Sequence, residues 1–245
     1  MSEILFLNKK FDCLYINKKC KNTGTSEYPF SNMKSTNIPM LLKHLDKRHN
    51  NLKDINLIFK KHNVKWYLAG GTLLGAVRDN ELILNDYDDD ITILSKISNK
   101  CFDDMLQKGF KICRSSGDWV VSIIRDGAPI DFCFKYELDK NLYTSPEPRK
   151  FEVSESKEFY NDVKTIKLRG IDYPILNHVE KYLEFRYYKD WRTPNINGIA
   201  RGCDNDKYIV FLKEEKDNID IEKYNNIKCL NYDKPPMKKP NIYFV

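Results

Sequence analysis

The stretch from Trp66 to Ile93, WYLAGGTLLGAVRDNELILNDYDDDITI, constrains the chain more than any other. It reads as a short apolar strand (Trp66 to Ala69), a tight Gly70-Gly71 turn, a helix starting at Thr72-Leu73-Leu74 and a second strand running into Ile91-Thr92-Ile93. Asp86, Asp88, Asp89 and Asp90 fall where that second strand begins. Glycines let the backbone approach a ligand closely, and the unpaired N–H groups of a helix N-terminus attract anions such as phosphate. Carboxylates at i and i+2 on a strand point to one face, which sets Asp88 beside Asp90. Two carboxylates about 4 Å apart repel by roughly 4 kcal/mol at an effective dielectric of about 20. A divalent cation turns that repulsion into attraction, and an all-oxygen set suits Mg²⁺, which also holds waters and substrate phosphates. A phosphate cradle followed by a metal-binding acid pair is a site for phosphoryl or nucleotidyl chemistry. The plain alternative is a glycine turn followed by an acidic surface loop.

Upstream, the pattern turns helical from Pro39. Leu41, Leu42, Leu45, Leu52, Ile55, Ile58 and Phe59 make one apolar stripe, with Lys43, Lys47, Arg48, Lys53, Lys60 and Lys61 opposite as a basic, solvated face. Downstream, residues 97 to 108 predict a helix with Phe102, Met105 and Leu106 at core positions and Gly109 as its stop. Trp119 to Arg125 and Ile130 to Tyr136 read as strands joined by an Asp126-Gly127 hairpin turn. Alternation along the second of these buries Ile130, Phe132, Phe134 and Tyr136 and leaves Asp131 on the other face. An acid there is ordinarily just solvated, but a sheet that already holds an acid pair makes Asp131 a candidate third carboxylate. Residues 139 to 163 are polar and read as a loop or lid, and Lys164 to Leu168 as a strand. Asn177 with Glu180 suggests a capping box for a helix through Tyr182, Leu183 and Phe185. Tyr208 to Leu212 is one more strand-like run.

Composition narrows the class. A chain of 245 residues with 41% hydrophobic content can bury a full core. The net charge of +6 is too small to require a nucleic-acid partner, and no RNA-binding motif is present. Seven cysteines without a CxxC pair fit free thiols in a reducing compartment, and four scattered histidines do not make a zinc cluster. With neither a signal peptide nor a run near the roughly 20 apolar residues of a membrane span, the expected location is cytoplasmic.

LAGGTLLGAVR at 68–78, followed by acids at 86, 88 and 90, resembles the LicD and fukutin family of the nucleotidyltransferase-fold superfamily. That family carries GGTLLG-x-x-R and then an alternating D-x-D-x-D. PILNHVEKYLEFRYYKDWRTP at 174–194 is similar to a later family segment with a Y-L pair, D-W and a proline. Leu84-Asn85 stand where the family usually has Pro-Trp, and Asp89 where an apolar residue is common. The fold implied is α+β: a nucleotidyltransferase-like mixed β-sheet flanked by helices, with N- and C-terminal extensions. Residues 1–36 would form an arm or short strands, 37–194 the catalytic domain, and 195–245 an extension packed on it.

The resemblance implies a transferase moving a phospho-alcohol unit, phosphocholine or a polyol phosphate, from a CDP-activated donor to a glycan hydroxyl. Asp88 and Asp90 would hold Mg²⁺ (or Mn²⁺), and Asp86 would extend the cluster or position a second ion. Asp131 would be a third ligand or the general base. Gly70, Gly71 and Thr72 would offer backbone and hydroxyl donors to phosphate. Arg78 would balance donor charge or form a structural salt bridge with one of the acids. The competing expectations are a nucleotidyltransferase that attaches a nucleoside monophosphate to a small molecule or an RNA end, and a non-catalytic binding protein on the same scaffold.

Overall fold

Spacing alone explains the first helix. Leu41, Leu45, Leu52, Ile55 and Phe59 recur every three, four or seven residues, and α1 (Ile38–Lys61) buries that line of side chains. The structure, a computed structural model, describes residues 38–116, 120–145, 153–194, 208–220 and 241–245. The arm expected at 1–36 lies outside these residues, as does much of the stretch beyond 194. Two residues of α1 depart from the sequence reading. Leu42, expected in the stripe, is exposed. Arg48, expected on the solvated face, is fully buried, because positions 41, 45, 48, 52, 55 and 59 share one helix face.

The described residues divide into two compact units that interleave in sequence: those within 38–135 and 164–175 form one, and those within 136–163 and 176–245 the other. The first unit is built on a mixed five-stranded sheet. Its strands are β1 (Trp66–Ala69), β2 (Asp89–Ile93), β3 (Lys111–Ser116), β4 (Val120–Arg125) and β5 (Ala128–Phe134), in the order β1-β2-β5-β4-β3. Only β2 and β5 run parallel; the other neighbours are antiparallel. Between β1 and β2 lies α2 (Gly70–Asp79), and between β2 and β3 lies α3 (Asn99–Gln107), whose start is capped by the Ser98 hydroxyl accepting from the Cys101 amide. Phe59 of α1 packs against Trp66 and Phe132, so α1 covers one face of the sheet. The Asp126-Gly127 turn has both residues at positive φ, 56° and 77°, which suits the twist of a two-residue hairpin.

The predicted loop at 139–163 is partly strand. In the second unit, β6 (Tyr136–Glu137), β7 (Leu142–Ser145) and β8 (Val153–Ser156) pair in succession. Back in the first unit, the hairpin of β9 (Lys164–Leu168) and β10 (Ile171–Ile175) sets Tyr173 edge-on to Trp66. The second unit continues with α4 (Val179–Tyr187), β11 (Tyr208–Phe211) and β12 (Asn241–Phe244), and its sheet runs β12-β11-β8-β7-β6 around Leu142, Ile209 and Phe211. The expected capping box at Asn177 is not formed. The cap of α4 is His178, held in the left-handed region at φ 50°, with no side-chain capping bond. Among the described residues, Cys101, Cys113 and Cys133 are free thiols, and no helix is long and apolar enough to cross a membrane.

Candidate active site

The site is assembled by strand register. Ala69 on β1 pairs with Asp90 on β2, Asp90 with Asp131 on β5, Asp131 with Ser122 on β4, and Ser122 with Arg114 on β3. One row across the sheet therefore carries two carboxylates, a hydroxyl and a guanidinium on the same face. A bulge at Cys113 shifts the register of β3 and brings Arg114 opposite Ser122. Arg114 Nε donates to Ser122 Oγ at 2.8 Å, and its Nη2 donates to Asp131 Oδ2. The sequence reading missed Arg114 and Ser122, since neither has a local motif and both enter by long-range pairing.

Alternation splits the acids between the two faces of β2. Asp90 faces the row, whereas Asp89 points the other way, fully buried, into α1. There Arg48 grips it in bidentate fashion, Nη2 to Oδ1 at 2.7 Å and Nε to Oδ2 at 3.2 Å. Thr72 Oγ1 donates to the same Asp89 Oδ1 at 3.1 Å and accepts from the Asp90 amide at 2.8 Å. Thr72 is fully buried, so the hydroxyl expected to face phosphate is instead a link between Asp89 and Asp90. Arg78 pairs with its neighbour Asp79 through Nε and Nη2 at 2.8 and 2.7 Å, a structural salt bridge with an acid outside the expected trio.

The glycines belong to the first turn of α2 rather than to a separate turn before it. Gly70 sits at φ +51°, and a Cβ there would strike the Asp90 carboxylate; a Cβ at Gly71 would strike that of Asp86. The helix start and two acids thus lie so close that a Cβ at either glycine would force a carboxylate to move. Ala69, the N-cap, supplies no side-chain bond to the first-turn amides.

The electrostatics follow from crowding. Burial and the neighbouring Asp90 push Asp88 up to about 9, and burial with Asp131 and Asp86 pushes Asp90 up to about 7. Burial also raises Asp86 despite Arg48, and raises Asp131 despite Arg114. Asp131 Oδ1 is buried with no hydrogen-bond partner. Asp86, Asp88 and Asp90 are each half-buried, not splayed into bulk water. Among the described residues, no group of three or more His, Cys, Asp or Glu side chains is arranged to hold a metal ion as it stands. The donors nonetheless suit a hard divalent cation: all are carboxylate oxygens, their charge is under-compensated, and one buried oxygen has no partner.

Residues 63–178 match the family model described as LicD/FKTN/FKRP, nucleotidyltransferase domain. No curated protein matches the chain. Among solved structures it is similar to a lincosamide antibiotic adenylyltransferase bound to lincomycin, at 15% identity over 55% of this chain and 83% of the other, with a TM-score of 0.43. It is also similar to ANT(2″)-Ia in complex with adenylyl-2″-tobramycin, at 12% identity over 62% and 80% of the two chains, with a TM-score of 0.44. At such values the likeness says nothing of substrate.

Proposed function

We propose, from the match of residues 63–178 to the LicD/FKTN/FKRP family model, that the chain is a metal-dependent transferase that moves a phospho-alcohol unit from a CDP-activated donor to a glycan hydroxyl. The family match by itself supports a transferase, since the matched model is that of a nucleotidyltransferase domain. The observation that carries the finer reading is the gathering of Asp86, Asp88, Asp90 and Asp131 beside a helix start held open by Gly70 and Gly71.

In this reading Asp88 and Asp90, with Asp86 beside them, would hold Mg²⁺ or Mn²⁺. Bound there, the ion would neutralise the donor's diphosphate and polarise it toward transfer. The amides of Gly70 and Gly71 donate to phosphate oxygens. Asp131 takes the proton of the acceptor hydroxyl, or joins the ligand set through its unpartnered Oδ1, and Arg114 tunes it. Arg78 pairs with Asp79 at the far end of α2. Little covalent help from protein is needed in such reactions; positioning and charge neutralisation do most of it.

The family model's own description, a nucleotidyltransferase domain, favours a second reading in which the nucleoside monophosphate itself is transferred. One assay separates the two. The protein is incubated with Mg²⁺ and CDP-choline, CDP-ribitol, CDP-glycerol or nucleoside triphosphates. CMP release supports the first reading and pyrophosphate release the second; neither product with any donor contradicts both.

A further inference from the structure

We propose that Arg48 and Asp89 form a buried positioning device for the carboxylate loop, with Thr72 as its relay. The inference rests on the metal-site reading above and concerns what holds its donors in place. Arg48 is fully buried and uses three of its nitrogens at once. Nε and Nη2 take Asp89, while Nη1 donates to the carbonyls of Ile83 at 2.7 Å and Asp86 at 3.1 Å. One turn earlier on α1, His44 Nε2 donates to the carbonyl of Tyr87 at 2.9 Å. Two side chains at i and i+4 therefore pin the backbone of the loop at residues 83, 86 and 87, and Arg48 grips the side chain of residue 89.

The alternation of the strand gives this grip its consequence. Asp89 drawn inward by Arg48 obliges Asp90 outward, and the Asp90 amide is tied to Asp89 through Thr72 Oγ1. Arg48 also holds the carbonyl of Asp86, whose side chain lies against Gly71. The same guanidinium thus fixes the backbone of one outward acid directly and of another by relay. Burial disfavours the Arg48 charge, but the adjoining Asp89 carboxylate outweighs it and holds the guanidinium above its usual value. The pair is close to neutral as a unit and sits behind acids that carry surplus charge.

A buried ion pair is weak evidence for stability, because two apolar residues of similar size often serve the fold as well. That separates positioning from bracing. The test compares the parent chain with the double variant Arg48→Met/Asp89→Leu and with Thr72→Val, by three readouts: thermal midpoint, Mn²⁺ binding by calorimetry, and hydrogen exchange of the Asp90 amide without metal. The expected result for the double variant is a midpoint near the parent's, an Mn²⁺ dissociation constant raised tenfold or more, and an Asp90 amide that exchanges at least tenfold faster. Thr72→Val, which removes one hydroxyl at constant shape, is expected to speed that exchange and weaken Mn²⁺ several-fold, and it carries the test if the double variant does not fold. Mn²⁺ binding within twofold of the parent, with slow Asp90 exchange retained, would overturn the proposal. A parent chain that binds no Mn²⁺ would instead overturn the metal-site reading, and the exchange comparison would still decide the role of Arg48 and Asp89.

Discussion

Asp90 and Asp131 sit directly opposite each other on the one parallel pairing of their sheet, that of β2 and β5. Two ionised carboxylates as cross-strand neighbours destabilise a sheet unless something positive lies between or beside them. Arg114 bonds to Asp131 and lowers Asp90 only in part, so Asp90 remains raised well above the usual carboxylate range by burial and by Asp131.

The first prediction concerns those acids as a trade between stability and turnover. Asp88→Asn and Asp90→Asn each remove a carboxyl whose ionisation burial and its neighbours oppose, so the metal-free protein is expected to be as stable as the parent or to melt a few degrees higher, about 2–4 °C for each kcal/mol relieved in a chain of this size. Turnover is expected to fall by about 10²-fold or more, the scale of losing one electrostatic contact at a reacting centre. Calorimetric melting and CMP release are the two measurements; a variant with normal turnover removes Asp88 or Asp90 from the mechanism.

The second is a pH dependence. Asp88 at about 9 and Asp90 at about 7 lie above the unfolded value for aspartate, about 3.9. Between those limits the folded state binds more protons than the unfolded one, so the cluster's contribution to stability declines as pH rises from about 4 to about 9. The difference in melting temperature between the parent and Asp88→Asn without metal isolates this effect. It is expected to shift in favour of the variant as pH rises, and Mg²⁺ is expected to shift it back, increasingly so at higher pH.

Glycine substitutions separate backbone strain from crowding. Gly70→Ala suffers both, since its φ of +51° disfavours a Cβ and that Cβ meets Asp90. It is expected to lose about 1–2 kcal/mol of stability. Gly71→Ala escapes the positive φ but displaces the Asp86 carboxylate. Its melting temperature is expected to fall less than that of Gly70→Ala, with Mn²⁺ affinity reduced in titration. Unchanged Mn²⁺ affinity would take Asp86 out of the ligand set.

Arg114 offers a kinetic handle on Asp131. Its guanidinium lowers the proton affinity of Asp131 against the opposing effect of burial. If Asp131 is the base, Arg114→Met raises its pKa and moves the acidic limb of the kcat profile to higher pH. A limb that stays in place assigns the base elsewhere.

Much of the site was legible because its residues are local. Strand, glycines, helix and second strand all lie within Trp66 to Ile93, and both Asp126-Gly127 and the alternation around Asp131 are short-range signals. Arg48 was legible too, but misread: its charge suggested the wet face, although 45, 48, 52 and 55 lie on one line of the helix. Charge on a buried face signals a partner, and Asp89 is that partner. Arg114 and Ser122 could not be found locally, since the bulge at Cys113 and the order β5-β4-β3 decide where they point. The polar run 139–163 concealed two strands because short strands such as β7 and β8 carry few apolar residues.

The acids beside Gly70 and Gly71 are expected to complete a site only together with a divalent ion and a diphosphate. CDP titrated into the protein by calorimetry, with and without Mn²⁺, tests this most directly. The predicted result is CDP binding that requires Mn²⁺ and disappears in Asp90→Asn. CDP binding that is equal with and without the ion, or no CDP binding under either condition, would contradict it.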